Sequence, residues 1–136
     1  MSTHIKEKKE KIEQILTKLT EDSAKGKLIV VEGAKDAQTL RMLGVNGRIL
    51  QIKTGGKSFL EATTEIEKLK PQVVILLLDF DRRGKEGTKR LKQDLERAKV
   101  KVDMSFWRGL QALVGREVQC VESLNAYLDT LNSKVS

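Results

Sequence analysis

The chain has 136 residues, 33% of them charged, with a formal net charge of +7 at pH 7 and a pI near 9.6; that balance favours a polyanionic partner, most often nucleic acid. Its 39% of hydrophobic residues can build the core of one compact domain. A single cysteine, Cys120, excludes an internal disulfide, no apolar run approaches the roughly 20 residues that cross a bilayer, and "MSTHIKEKKEK" lacks the apolar centre of a secretory signal, so the reading is of a soluble, cytoplasmic protein.

Residues 4–22 place Ile5, Ile12, Leu16 and Leu19 near one face, with lysine and glutamate elsewhere, which predicts an amphipathic helix. "KLIVVEG" reads as a buried strand ending in glycine. "AKDAQTLRMLG" reads as a helix with Ala37, Leu40 and Leu43 inward and Gly44 as its stop. "GRILQIK" is a second strand and "TGGK" a glycine turn. "SFLEATTEIEKLK" is a helix with Ser58 as its cap and apolar Phe59, Leu60, Ile66 and Leu69, closed by Pro71. "QVVILLLDF" is a third strand, "GKEGTKRLKQDLERAK" a helix with Leu91, Leu95 and Ala98 inward, and "VKVDM" a fourth strand. In the tail, "SFWRGLQALVG" reads as a short helix, "EVQCV" as a strand and "ESLNAYLDTLNS" as a last helix.

Near-continuous apolar strands alternating with helices indicate an α/β sandwich around a parallel sheet covered on both faces. Right-handed crossovers then bring the strand C-termini to one edge, where open α/β sheets bind ligands. Glu32 follows the first strand there, Lys53 and Thr54 the second, and Asp79 and Asp81 the third. If those strands are parallel neighbours, three carboxylates converge, and carboxylates that close cannot all stay ionised without a cation. Mg²⁺, with Mn²⁺ as an alternative, suits a few carboxylates plus open positions for phosphate oxygens. The competing reading is that the two aspartates only cap the following helix or pair with Arg82 and Arg83. Basic charge gathers beside the acids: residues 82–101 carry nine lysines and arginines against three acids, a net +6. Such a helix either tracks a phosphate backbone or is an ordinary solvated face.

Other motifs carry less. "TGGKS" lacks the first glycine of the phosphate-loop pattern, since Gln51 stands in its place, though Gly55, Gly56 and Lys57 could still hold one phosphate at a helix start. The aspartate pair of haloacid-dehalogenase-type phosphatases sits on the first strand, not the third. His4, the sole histidine, lies at the terminus, so histidine-based acid–base chemistry and zinc are not expected. Cys120 lies in an apolar stretch and is expected to be buried. Trp107 is expected in the core, and Tyr127, in the last helix, has no acidic partner near in sequence.

"VVEGAKDAQTL", followed by "LLLDFDRRGKEGTKRL", resembles the Toprim domain of topoisomerases, primases and some nucleases over roughly residues 26–104. The matching positions are Glu32, Gly33 and Asp36 of the E-G-x-x-D segment, Asp79 and Asp81 of D-x-D, and the trailing Gly84. The resemblance implies a Rossmann-like sandwich with a central four-stranded, mainly parallel sheet flanked by helices. It also implies Mg²⁺ on Asp79, Asp81 and Glu32, with Glu32 as general acid or base in phosphodiester chemistry, and structural roles for Gly33, Asp36 and Gly84. The chain divides into an N-terminal amphipathic helix (1–25), the Toprim core (26–104) and a C-terminal extension packed on it (105–136).

It is similar to small stand-alone Toprim proteins of archaea and bacteria and, among better understood relatives, to the Toprim part of the ribonuclease that matures 5S ribosomal RNA. It departs from that enzyme at Ala34, Phe80, Arg82 and Arg83. The expected function is Mg²⁺-dependent nucleic-acid phosphodiester chemistry, as an RNA-processing nuclease with RNA favoured over DNA. Lys35, Lys53, Lys57, Arg82, Arg83, Lys85 and Lys89 are the expected phosphate contacts. The alternative is a non-catalytic module that binds RNA, DNA or a ribonucleoprotein particle. Neither reading involves a membrane.

Overall fold

In a computed structural model, described here for residues 3–52 and 59–135, six helices surround one sheet. The elements run α1 (Thr3–Ala24), β1 (Leu28–Val31), α2 (Ala34–Met42), β2 (Ile49–Gln51), α3 (Phe59–Lys68), β3 (Val73–Leu76), α4 (Arg82–Arg97), β4 (Lys101–Asp103), α5 (Ser105–Val114), a 3₁₀ turn (Val121–Ser123) and α6 (Leu124–Val135). The four strands are all parallel, in the order β2-β1-β3-β4. In the central pair, Leu28 stands opposite Val74, Ile29 opposite Ile75 and Val30 opposite Leu76. That central position explains why "LIVV" and "VVILLL" have no polar alternation: a strand buried on both faces has no solvent side.

Alternate strand residues feed two cores. Ile29, Val31, Ile75 and Leu77 pack on one face with residues of α1, α2, α5 and α6. Leu28, Val30, Val74, Leu76 and Leu78 pack on the other with α3 and α4. From α1, Ile12, Leu16 and Leu19 enter the first core, and the tail adds Phe106, Leu110, Val114, Val118, Val121, Leu124, Leu128 and Leu131. Fully burying a side chain of this size contributes about 1.5–3 kcal/mol, so both ends of the chain are integral to the first core.

The elements follow local chemistry, and the sequence reading is corrected at residues 117–121 and at Trp107. Residues 117–121 form no strand: Glu117 and Val118 donate back to Val114, and the chain then tightens into the 3₁₀ turn. Leu60 points outward and is 70% exposed, because α3 turns Ala62, Thr63 and Ile66 inward. Trp107 is half-buried and bridges the two cores; its indole N–H donates to the Leu78 carbonyl at 3.0 Å. The proposed Ser58 cap, Lys53, Thr54, Gly55, Gly56 and Lys57 lie outside the described residues. Gly44 terminates α2 at φ +101°, a conformation that side chains with a Cβ rarely adopt.

The strand order places the site. The loop leaving β1 enters α2 on one face, whereas the loop leaving β3 runs to α4 on the other. Neighbouring loops that part toward opposite faces open a crevice at the strand ends, where ligands of open α/β sheets bind.

Candidate metal centre and nucleic-acid interface

Glu32 is the first residue after β1, and Asp79 lies three residues beyond β3. Their carboxyl groups lie close enough to act on each other. Asp79 is pushed up to about 8, first by burial and then by the Glu32 hydrogen bond and the negative charges of Glu32, Asp36 and Asp81. Carboxyl groups crowded in this way resist ionising together. Among the described residues, no lysine or arginine nitrogen lies within 4.0 Å of Glu32, Asp79 or Asp81. Among the described residues these acids thus have no compensating ammonium or guanidinium, which fits a divalent cation on oxygen ligands.

The backbone holds these acids tightly. Gly84, in the first turn of α4, presses on the end of the strand; a Cβ there would overlap the carbonyl oxygen of Asp79. Gly84 is thus needed for close approach, not for a special φ. Phe80 points away from the crevice into the first core, 2% exposed, with its ring 5.8 Å from that of Trp107. Its N–H donates to the Gln119 carbonyl at 2.7 Å. Asp81 caps α4: its Oδ1 accepts from the Gly84 N–H at 2.7 Å. The capping reading is therefore correct for Asp81, with Oδ1 engaged, while Asp79 has no such role. Neither aspartate pairs with Arg82, which binds Glu86 instead at 3.3 Å.

Asp36, 5% exposed, is the junction between the E-G-x-x-D loop and the tail. Its Oδ2 accepts from the Gly33 N–H at 3.1 Å, and its Oδ1 accepts from the Glu122 N–H at 2.9 Å. Thr39 adds a bond from its hydroxyl to the Glu122 carbonyl at 3.2 Å. Burial raises the Asp36 carboxyl despite these donors. Through Asp36, Thr39 and Phe80, residues 119–122 are strapped across the crevice.

That strap brings in a residue the sequence did not flag. Cys120 is half-buried, not enclosed in the core, and its thiol lies 3.5 Å from the Ser123 hydroxyl. One donor atom from each of Asp36, Asp79 and Cys120 falls within 4.8 Å of the others. No local spacing could have signalled this, because Cys120 lies 41 residues from Asp79 in the chain.

The proposed phosphate contacts flank the crevice unevenly. Arg82, Arg83, Lys85 and Lys89 are exposed along the first two turns of α4. Farther along, Arg90 and Arg97 pair with Asp94, and Lys92 pairs with Glu96. The three acids of α4 are thus engaged, and Arg83, Lys85 and Lys89 have no ion pair among the described residues. Lys35 is exposed and stands 4.0 Å from Glu122. Tyr127 is not among the groups that crowd the acids; it packs against the first core, with the Lys8 ammonium 5.5 Å from its ring centroid.

Residues 27–106 match the model of the Toprim domain. The chain belongs to the Toprim family. It is 34% identical over 125 residues to a UPF0292 protein of Methanosarcina acetivorans, covering 92% of this chain and 85% of the relative. It is 37% identical over 115 residues to a UPF0292 protein of Pyrococcus furiosus, covering 85% and 82%. A solved structure of a protein from Aquifex aeolicus superposes with a TM-score of 0.67 at 23% identity, covering 81% of this chain and 94% of that one, and shares the fold. This small Toprim protein therefore has a domain associated with metal-dependent functions on nucleic acids. No described helix is long and apolar enough to cross a membrane.

Proposed function

We propose that this Toprim protein is a Mg²⁺-dependent nuclease that processes RNA, with Mn²⁺ able to replace Mg²⁺. The observation that carries the reading is the crowding of the Asp79 carboxyl by Glu32, Asp36 and Asp81 where the β1 and β3 loops part, with no lysine or arginine paired to Glu32, Asp79 or Asp81 among the described residues; the donors that stand within 4.8 Å of one another there are Asp36, Asp79 and Cys120. Asp79, Glu32 and the Asp81 oxygen not used in the α4 cap would hold the ion. When bound, Mg²⁺ supplies positive charge for the scissile phosphate and the oxyanion that develops on it.

The chain's own groups divide the remaining work. Glu32, beside the raised Asp79 carboxyl, would serve as general acid or base in phosphodiester cleavage. Arg83, Lys85 and Lys89, which have no acidic partner among the described residues, would lie along the phosphate backbone beside the crevice. Arg82, Lys35, Lys53 and Lys57 complete the proposed contact set. RNA is preferred over DNA because of the resemblance to the 5S ribosomal RNA maturation enzyme, and the site of action is the cytoplasm. The helix cap on Asp81 favours a second reading, a module that binds RNA or a ribonucleoprotein without cleaving it, because it gives that aspartate a role independent of metal.

The deciding experiment compares wild type with the double variant Asp79→Asn/Asp81→Asn; asparagine keeps the α4 cap. Each is incubated with total cellular RNA and with single- and double-stranded DNA, with and without Mg²⁺, and new ends are mapped. Cleavage by wild type alone, only with Mg²⁺, is expected. No cleavage of any pool, with equal RNA binding by both proteins, replaces the nuclease with the binding module.

A further inference from the structure

We propose that the metal centre of this chain extends to Cys120, so that it takes thiophilic divalent ions such as Zn²⁺ and Cd²⁺ on a mixed sulfur and oxygen donor set with Asp36 and Asp79. The three donors come from α2, the loop after β3 and the strap before the 3₁₀ turn, and their ligand atoms lie within 4.8 Å of one another. Donors bound tetrahedrally at about 2.0–2.3 Å to a common ion stand roughly 3.3–3.8 Å apart. From a largest separation of 4.8 Å, closure on an ion takes a shift of roughly 1–1.5 Å at most.

The surroundings favour such a set. Asp36 is held by two backbone N–H groups, which fix its carboxylate while leaving further oxygen lone pairs. The strap is tied to the aspartate loop by the 2.7 Å bond from Phe80 to Gln119, next to Cys120. Cys120 is only half-buried, so an ion can reach its sulfur. Thiolate selects Zn²⁺ and similar soft ions over Mg²⁺, whereas carboxylate oxygens alone suit Mg²⁺. Binding deprotonates the thiol, with the proton released to solvent and the sulfur lone pair donated to the ion. The site shares Asp79 with the proposed Mg²⁺ position but does not require cleavage.

The test titrates the full chain with Cd²⁺ and follows the ultraviolet thiolate-to-metal charge-transfer band. The chain has one cysteine, so any such band reports Cys120. The expected result is a band that saturates at one Cd²⁺ per chain. It should be lost in Cys120→Ser, and Asp79→Asn should weaken Cd²⁺ binding at least tenfold. A near-isosteric serine and an isosteric asparagine keep both variants folded, which far-ultraviolet circular dichroism checks. No band in the folded wild type overturns the proposal. So does a band that saturates with unchanged affinity in Asp79→Asn, because the cysteine is then binding the ion alone. Failure here with Mg²⁺-dependent cleavage intact refutes only the sulfur ligand; a Cd²⁺ band with no cleavage of any nucleic acid refutes only the nuclease.

Discussion

Replacing Asp79 with asparagine should stabilise the metal-free protein at neutral pH. The carboxyl is raised from its ordinary 3.8 to about 8, chiefly by burial and the Glu32 hydrogen bond. In the unfolded chain it has shed its proton by pH 7, whereas in the fold it retains it. The native state thus binds more protons than the unfolded state between about pH 4 and pH 8, and stability falls as pH rises through that window. About three pH units of that window lie below pH 7, at about 1.4 kcal/mol each, so holding the proton costs on the order of 4 kcal/mol at pH 7. The asparagine side chain would keep the shape and a donor toward Glu32 without that cost. Urea unfolding at pH 4, 5.5, 7 and 8 measures the effect. The variant should gain up to about 4 kcal/mol at pH 7, moving the urea midpoint by roughly 1 M or more, with little gain at pH 4. Mg²⁺ should stabilise wild type more at pH 8 than at pH 6, since the ion competes with the proton. A wild type equally stable at pH 5.5 and 8, or an Asp79→Asn variant no more stable than wild type at pH 7, would refute the crowded-carboxylate account.

Gly84→Ala should destabilise by about 1–3 kcal/mol or more, because the new Cβ overlaps the Asp79 backbone; urea unfolding reads the loss, and an unchanged midpoint would mean the approach is looser than described. Asp36→Ala removes the acceptor of the part-buried bonds from the Gly33 and Glu122 N–H groups, at about 0.5–1.5 kcal/mol each, and hydrogen exchange at the Glu122 amide should accelerate ahead of global unfolding. Ile12→Ala should cost about 2–5 kcal/mol by opening a cavity in the first core, as measured by thermal or urea unfolding; a loss under about 1 kcal/mol would show that α1 is not integral to the core. Lys85→Ala/Lys89→Ala should weaken binding to single-stranded RNA and reduce the slope of log affinity against log salt by about 1.4, with an unchanged slope removing α4 from the interface.

Much of the architecture could be read from local pattern. The unbroken apolar runs of residues 28–31 and 73–78 required strands covered on both faces, and the alternating helices required parallel crossovers, so the sheet edge bearing Glu32, Asp79 and Asp81 followed from periodicity and handedness. "EVQCV" alternates like a strand but has no partner: the sheet ends at β4, and the segment closes on Val114 and then on Asp36 and Phe80.

The sequence by itself determined the fold class, the Gly44 stop of α2 and the two acidic segments, because each depends on residues a few positions apart whose preferences act locally. Only the tertiary structure decided that β1 and β3 are neighbours, that Asp81 gives one oxygen to the α4 cap while burial and Glu32 raise the Asp79 carboxyl, and that Cys120 reaches the acids. Those outcomes depend on charge repulsion, burial and contacts between residues up to 86 positions apart. No local pattern encodes such energies, which arise only when the chain has closed around its core.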